Sequence, residues 1–181
     1  MKIKVLLLSS AVMLMFMLNA CVRPQEKLQK EIEASEQALT AVGDAMPSIE
    51  RSDSLIKMYL HYADQYKDDT LSPVYIFRAA DLCMKTGRYE QAVAHYGQVQ
   101  RYKGFRKLGE ALFLQGFISD SQLGDTASAR KYYQQFLAAY PQHEFADDAQ
   151  HLIENLDLTA DQLIQKLQQS QRLDSLTVDH H

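Results

Sequence analysis

The stretch at residues 124–141, GDTASARKYYQQFLAAYP, decides the fold of this chain. Ala129, Tyr133 and Phe136 follow one another at intervals of four and three residues, so they lie on one face of an α-helix. The stretch begins with a glycine and ends with a proline, and both residue types are common where helices begin and end. It therefore predicts a helix that buries one small and two aromatic side chains.

This helical stripe occurs three times, at a period of 37 residues. The two earlier copies are formed by Leu55, Tyr59 and Tyr62 and by Ala92, Tyr96 and Val99. Gly87 precedes the middle copy at the position that Gly124 takes in the last one. A helical unit of this length cannot bury its apolar face alone, so neighbouring copies are expected to stack.

Helical patterns also fill the segments between these copies. Apolar residues recur there at intervals of three and four, whereas no segment alternates as a strand does. Three such faces are Leu28, Ile32, Leu39 and Val42; Ile76, Ala79, Ala80 and Cys83; and Leu112, Phe113, Gly116 and Phe117. The prediction is an all-α chain with helices at about 25–42, 49–67, 73–86, 88–102, 106–122, 126–139, 144–155 and 160–171.

The repeated unit resembles the tetratricopeptide repeat. The matching residues are Gly124, Ala129, Tyr133, Phe136 and Pro141 in the last copy and Ala79, Ala80, Gly87, Tyr89, Ala92, Tyr96 and Val99 in the copy before it. This resemblance implies a right-handed superhelical solenoid of antiparallel helix pairs, with about three repeats. The last predicted helix, 160–171, is expected to form a C-terminal cap with its apolar residues on one side. Residues 173–181 are expected to form a flexible tail.

The first twenty residues have the organisation of a bacterial export signal. Two lysines precede an apolar run at residues 5–18, which is short for a transmembrane helix and typical of a signal peptide. The run leads into LNAC at residues 18–21, which resembles the lipobox of bacterial lipoproteins. The resemblance implies that residues 1–20 are removed and that Cys21 is lipidated. The alternative is a buried N-terminal helix, but no neighbouring element is available to cover a helix that is apolar on all sides.

The same resemblance indicates a location in the cell envelope. Val22 follows the cysteine, whereas an aspartate at that position holds many Gram-negative lipoproteins in the inner membrane. We therefore expect an outer-membrane protein, anchored through the lipid on Cys21 and facing the periplasm. Its helical domain is expected to span residues 21–172. After residue 20 the chain has 17 basic and 23 acidic residues, a net charge of −6.

Cysteine usage agrees with export to an oxidising compartment. Once Cys21 carries lipid, Cys83 is the one remaining thiol of the sequence, so no disulfide can form within the chain. Cys83 shares its predicted helical face with Ile76 and Ala79, which indicates a buried and unreactive side chain.

No catalytic or cofactor-binding motif occurs in the sequence. Glycine-rich nucleotide loops, the HExxH motif and CxxC pairs are all missing. The group with metal-like spacing consists of His143, Asp147, Asp148 and His151. Acidic residues are favoured at a helix start, so a solvated first turn explains this group better than a metal site. The terminal pair, His180 and His181, is not taken as a ligand set. We expect no enzymatic activity, cofactor, metal or small-molecule substrate.

The resemblance also suggests where a partner binds. In tetratricopeptide domains the first helix of each pair lines a groove. By position these residues are Val74, Phe77, Arg78, Asp81 and Lys85 in one pair and Ala111, Leu114, Gln115, Ile118 and Gln122 in the next. The polar members Arg78, Asp81, Lys85, Gln115 and Gln122 are candidate partner-binding residues. The clamp of lysine and asparagine that binds carboxylate tails in chaperone-binding members is missing. The alternative is an ordinary solvated surface.

A second candidate is the basic segment at residues 101–107, which combines four positive charges with two aromatic rings in an acidic chain. Its members are Arg101, Tyr102, Lys103, Gly104, Phe105, Arg106 and Lys107. Such a mixture is typical of single-stranded nucleic-acid binding, but nucleic acid does not suit an exported protein. An acidic protein or anionic lipid headgroups remain as ligands. The alternative is a connector whose two rings lie between helix pairs.

Together these features predict a lipid-anchored scaffold that binds other envelope proteins. It is similar to the tetratricopeptide lipoprotein of the outer-membrane β-barrel assembly machine and to the periplasmic coordinator of the Tol–Pal system. One alternative is a pilotin-like escort of a secretin or motility component. A glycan-capturing surface lipoprotein is less well supported, because the chain has no room for the large loop insertions that carry the sugar site.

Overall fold

A computed structural model describes residues 23–41 and 48–178, with their side chains except at residues 160 and 173–178. The predicted lipidation site and the terminal histidine pair lie outside the described residues. The regular structure of this part of the chain is helical, which confirms the predicted all-α class. Its helices are α1 Pro24–Thr40, α2 Ile49–Gln65, α3 Ser72–Lys85, α4 Tyr89–Val99, α5 Leu108–Ser121, α6 Thr126–Ala139, α7 Ala146–Asn155 and α8 Ala160–Val178. None of these described helices combines the length and the apolar character needed to cross a membrane.

Helix boundaries follow the sequence signals closely. The first seven helices begin and end within three residues of the predicted bounds. Helix α8 differs, because it continues to Val178 instead of ending near residue 171. Residues 168–176 contain neither glycine nor proline and are rich in glutamine and leucine, so nothing in them stops the helix. Residues 173–178, predicted as part of a flexible tail, are therefore helical.

The chain forms two compact units, Met1–Tyr75 and Ile76–His181, and the boundary between them falls inside α3. In the first unit α1 packs against α2, and Tyr62 is fully buried. The Tyr62 ring meets the Tyr75 ring edge-on, with centroids 4.8 Å apart. Its hydroxyl accepts hydrogen bonds from the side-chain amides of Gln25 at 2.8 Å and Gln29 at 2.7 Å. The polar end of this core residue is thereby satisfied.

In the second unit the predicted stripes form the core. The fully buried residues include Ala92, Tyr96 and Val99 on α4 and Ala129, Tyr133 and Phe136 on α6. Helix α6 packs against both α5 and α7, so aromatic side chains of successive helices meet. The centroid of the Phe113 ring lies 5.6 Å from that of Phe136 and 4.8 Å from that of Phe145. The periodic apolar residues are therefore the contacts that join one helix pair to the next.

Two glycines one period apart end the first helix of their pairs. Gly87 and Gly124 have φ angles of +74° and +64°, a backbone region that other residues rarely adopt. Next to Gly87, the N–H of Arg88 donates to the carbonyl of Cys83 at 2.8 Å, which closes the end of α3. The glycine of the repeat is therefore required by backbone geometry.

The last helix is present where a cap was predicted, but it leaves its apolar side exposed. It begins with a capping box, in which the N–H of Thr159 donates to Gln162 Oε1 at 2.8 Å and the N–H of Gln162 donates to Thr159 Oγ1 at 3.3 Å. Residues 161–172 are all exposed. The exposed fractions of its apolar residues are 38% for Leu163, 52% for Ile164 and 55% for Leu167. A cap normally turns a polar face outward, so α8 does not complete the fold in the usual way.

Candidate interaction surface

Helix α3 has two different faces within the second unit. Its buried face consists of Ile76, Ala79, Ala80 and Cys83, each at most 1% exposed. On the other side Arg78 and Lys85 are exposed and Asp81 is half-buried. Because 3.6 residues make one helical turn, the spacing separates these two sets, and three of the candidate partner-binding residues lie on one side of α3.

Cys83 is buried, as predicted from its helical face. Its side chain has no exposed surface, and the thiol donates a weak hydrogen bond to Gln91 Oε1 at 3.8 Å. Burial raises the pKa of Cys83 to about 11, because the thiolate would lose its hydration. Since the thiolate is the reactive form, this cysteine is held in its unreactive state at neutral pH.

Asp81 is the centre of a small polar network. It accepts a hydrogen bond from the Tyr96 hydroxyl at 2.5 Å. Burial raises the pKa of Asp81, while the bond from Tyr96 and the positive charges of Lys107 and Lys85 oppose that rise. The same carboxylate is also affected by the negative charge of Glu110. The structure therefore brings Asp81 and Lys85 of α3 together with the end of the basic segment.

The basic segment, residues 101–107, is a series of tight turns between α4 and α5. The N–H of Tyr102 donates to the carbonyl of Val99 at 3.0 Å, and the N–H of Phe105 donates to the carbonyl of Tyr102 at 3.1 Å. Gly104, with φ of +94°, allows the reversal between them. Arg101, Lys103, Arg106 and Lys107 are exposed, whereas the two rings are half-buried. The segment thus presents its charges on a fixed backbone.

The rings of the basic segment are partly used for packing. Phe105 lies edge-on against Phe77 with centroids 6.1 Å apart, and Phe77 is itself 3% exposed. The Arg101 guanidinium lies 5.4 Å from the centroid of the Tyr102 ring. The tetratricopeptide resemblance assigned Phe77 to the groove, but the structure makes it a core residue that packs against Phe105 of the segment.

Lys107 differs from the other cations of the segment. Its Nζ lies 3.0 Å from a carboxylate oxygen of Glu110 and 4.5 Å from the centroid of the Phe77 ring. The sequence analysis did not single out Glu110. Its spacing of three residues from Lys107 at the start of a predicted helix is the signal that indicates this ion pair. Lys107 therefore stabilises the local fold as well as adding charge.

Of the two candidates on α5, one is corrected by the structure. Gln115 is 4% exposed, and its side-chain amide donates to the carbonyl of Val93 at 3.0 Å. The prediction that Gln115 lines the binding surface is wrong, because its amide joins α5 to α4. Gln122 is exposed at the end of α5, where its amide donates to Ser121 Oγ at 3.2 Å.

An apolar groove between α5 and α7, with a volume of about 400 Å³, was missed by the sequence argument. Its walls include Phe113, Leu114 and Phe117 from α5 and Asp148, Leu152 and Asn155 from α7. Phe117 was predicted to share the buried face of α5, but it is 39% exposed at this groove. The helical period gives the direction of a side chain, and only the neighbouring helix decides whether that direction is covered.

One member of the metal-like group, His143, packs against aromatic side chains just before α7. His143 Nδ1 accepts a hydrogen bond from the N–H of Phe145 at 3.3 Å, and its ring lies edge-on to Phe136 with centroids 5.3 Å apart. Within residues 23–41 and 48–178, no three histidine, cysteine or acidic side chains are grouped so as to hold a metal ion. His143 is therefore part of the aromatic core.

Comparison with known families gives two matches, both to the tetratricopeptide repeat. One covers residues 74–104, which contain most of α3, all of α4 and part of the basic segment, and the other covers residues 110–143, which contain most of α5 and all of α6. These two segments, about a third of the chain, are therefore similar to tetratricopeptide repeats. A comparison with curated proteins gives no match. Tetratricopeptide repeats are typically protein-interaction modules, and the two matches support a scaffold or adaptor role.

Proposed function

We propose that this protein is a lipid-anchored scaffold of the bacterial outer membrane that binds an acidic segment of another envelope protein. The proposed partners include proteins that assemble outer-membrane proteins. The lipobox-like sequence ending at Cys21 supports the anchor and the location. The tetratricopeptide repeats support the scaffold role. The acidic partner is argued from the surface of the second unit.

The observation that carries this proposal is the concentration of positive charge on the basic segment. Four cations fall within seven residues of a chain that has a net charge of −4. Lys85 adds a fifth positive charge near the segment, since its charge and that of Lys107 both oppose the rise in the pKa of Asp81. Such a local excess attracts an acidic partner and accelerates its association in a manner that salt weakens. The half-buried rings of Tyr102 and Phe105 offer apolar contact beside the charges.

A charge-reversal experiment tests this surface. Lys103→Glu combined with Arg106→Glu changes two exposed cations while leaving Lys107 with its partners. Lys30→Glu combined with Lys57→Glu makes the same change in net charge at exposed positions of the first unit and is the matched control. The probe is a fluorescent peptide that contains glutamates, aspartates and leucines, measured by anisotropy against a peptide in which lysines replace the acidic residues.

We expect the wild-type chain and the control variant to bind the acidic peptide, with an affinity that falls as salt is raised. The Lys103/Arg106 variant is expected to lose at least about tenfold in affinity, as two charge contacts of about 0.7 kcal/mol each would require. Equal binding by both variants, or equal binding of the lysine peptide, would contradict the proposed partner chemistry.

A separate experiment tests the anchor. Mass spectrometry of the protein from the membrane fraction is expected to find a chain that begins at Cys21 and carries acyl groups on that residue. In Cys21→Ser the acylated species is expected to disappear. An unmodified and uncleaved wild-type chain would overturn the outer-membrane location without affecting the peptide-binding result.

A further inference from the structure

Two apolar surfaces of the second unit remain uncovered among the described residues. One is the groove between α5 and α7, which leaves Phe117 39% exposed. The other is the apolar stripe of α8, formed by Leu163, Ile164 and Leu167 at positions i, i+1 and i+4 on one helical face. Apolar surface that is exposed on a folded domain commonly marks a binding site. Neither surface is part of the basic segment proposed to bind the acidic partner.

We propose that these two surfaces bind each other between two copies of the chain, so that α8 of each molecule lies in the α5–α7 groove of the other. A helix that lays an apolar stripe into an apolar groove is a common mode of recognition. When each copy gives its helix and offers its groove, the two contacts are related by a twofold axis and the assembly closes as a dimer.

The charges around the two surfaces are complementary. The α7 wall of the groove contains the carboxylate of Asp148 beside His151, and α7 carries no lysine or arginine. Lys166 flanks the stripe on α8, about a sixth of a turn from its edge. Within one chain the Nζ of Lys166 already donates to Asn155 Oδ1, a groove residue, at 2.8 Å. The cation of α8 is thus suited to the polar rim of the groove when the stripe faces inward.

The connection between α7 and α8 favours a second molecule as the occupant. It consists of residues 156–159, after which the capping box starts α8 directly. With this short connection the stripe of the same chain stays exposed over residues 161–172 although Lys166 contacts Asn155. The stripe therefore stays available to another copy of the chain, which brings the matching groove in the same concentration as the stripe itself.

The size of the contact also favours a reciprocal dimer. The described stripe runs from Leu163 to Leu167, about one helical turn, and the groove that it would enter has a volume of about 400 Å³. A single helix in a single groove would bury too little for a stable complex. Two such contacts double the buried area, and an interface below the usual size of stable complexes suits a dimer that dissociates on dilution.

The first test measures the mass of the full chain by analytical ultracentrifugation in a mild detergent. We expect a dimer that dissociates on dilution. Ile164→Glu combined with Leu167→Glu is expected to give a monomer, and Phe117→Glu is expected to do the same. Gln165→Glu combined with Gln169→Glu places the same charges on the opposite face of α8 and is expected to leave the dimer intact. Circular dichroism is expected to show unchanged helix content, because all of these positions are exposed.

Mixing the variants distinguishes this arrangement from the others. The Phe117 variant keeps a good helix and the Ile164/Leu167 variant keeps a good groove, so an equimolar mixture is expected to regain one contact and to associate more than either alone. If two α8 helices instead pair with each other, Phe117→Glu remains dimeric, which would overturn the assignment of the groove. A wild-type chain that is monomeric at every concentration would overturn the dimer itself.

A cross-linking experiment keeps the proposal testable even when the dimer is weak. Phe117→Cys and Leu167→Cys are made separately in a Cys21→Ser background, where Cys83 is buried and does not compete. Oxidation of the mixture is expected to give a disulfide-linked pair that contains one molecule of each variant. A chain carrying both substitutions that forms the disulfide within one molecule would show that α8 covers its own groove, contrary to the proposal.

Discussion

The two helix pairs of the second unit are built on the same 37-residue frame but use it differently. Tyr96 in α4 and Tyr133 in α6 hold the same position, and both are fully buried. The Tyr96 hydroxyl donates to Asp81, whereas Ile118 stands one period after Asp81. The Tyr133 hydroxyl consequently has no hydrogen-bond partner among the described residues. The first pair thus supports a charged surface, and the second has the more apolar interior.

The difference extends to the residues beside these tyrosines. Arg78 on α3 corresponds to Gln115 on α5, and Ala79 corresponds to Gly116. Arg78 is exposed, while Gln115 is buried and holds α5 to α4. The comparison teaches that the repeat preserves the positions of helices and large rings, whereas the polar positions are free to serve either a surface or the packing. The following predictions test that division, beginning with the largest expected effect.

In the second helix pair, α5 and α6 pack most closely where Gly116 meets the Tyr133 ring. A Cβ atom added there would be 2.7 Å from two carbons of the Tyr133 ring, which is fully buried and cannot move aside. Gly116→Val is therefore expected to lower the free energy of unfolding by about 3 kcal/mol. Ala94→Val, at an exposed position in the middle of α4, is the control and should change it by no more than about 0.5 kcal/mol. Urea unfolding of both variants measures the difference, and equal stability would show that the ring yields.

The two tyrosines should respond in opposite ways to loss of their hydroxyl groups. Tyr96→Phe removes a hydrogen bond to a half-buried carboxylate and is expected to cost about 1–2 kcal/mol of unfolding free energy. Tyr133→Phe removes a buried hydroxyl without a partner and should leave the stability unchanged or raise it by up to about 1 kcal/mol. The pair is compared by urea unfolding at neutral pH. Equal losses for the two variants would mean that the Tyr133 hydroxyl finds a partner in solution.

The half-buried carboxylate of Asp81 should also make the free energy of unfolding depend on pH. Burial raises the pKa of Asp81 above its ordinary value of 3.8, so the folded state holds the Asp81 proton more tightly than the unfolded state does. The stability that the tightly held proton adds to the folded state is present at low pH and is lost as pH rises from about 3.8 through the folded-state pKa. Asp81→Asn should therefore gain stability relative to wild type across that window. Asp68→Asn, at an exposed position, is the control, and a parallel pH profile for both would contradict the burial effect.

The smallest effect is expected at Cys83, whose counterpart one period later is Asp120. With its pKa raised to about 11 and no exposed surface, Cys83 should react with a thiol reagent only as fast as the protein opens. The variant Lys85→Cys in a Cys83→Ala background places a thiol at an exposed position of the same helix and should be labelled rapidly. Cys83→Ala itself should cost about 1 kcal/mol or less. Wild-type Cys83 that is labelled as fast as the Lys85→Cys variant would contradict the observed face of α3.

Much of this fold could be predicted because its signals are local. The spacing of Ala129, Tyr133 and Phe136 specifies a helix and its buried face without knowledge of any neighbour. Gly87 and Gly124 mark turns, because the positive φ angles of those turns are available mainly to glycine. Charges in the basic segment could be counted, although the pairing of Lys107 with Glu110 and its position over Phe77 could not.

The sequence by itself determined the all-α class, the helix pairs, the turn glycines and the buried position of Cys83, because each depends on the chain's own periodicity and backbone preferences. The tertiary structure decided which polar side chains are available. It buried Gln115, exposed Phe117 and left the stripe on α8 uncovered. These outcomes depend on which helix packs against which, and at what distance, and a helical period carries no information on either.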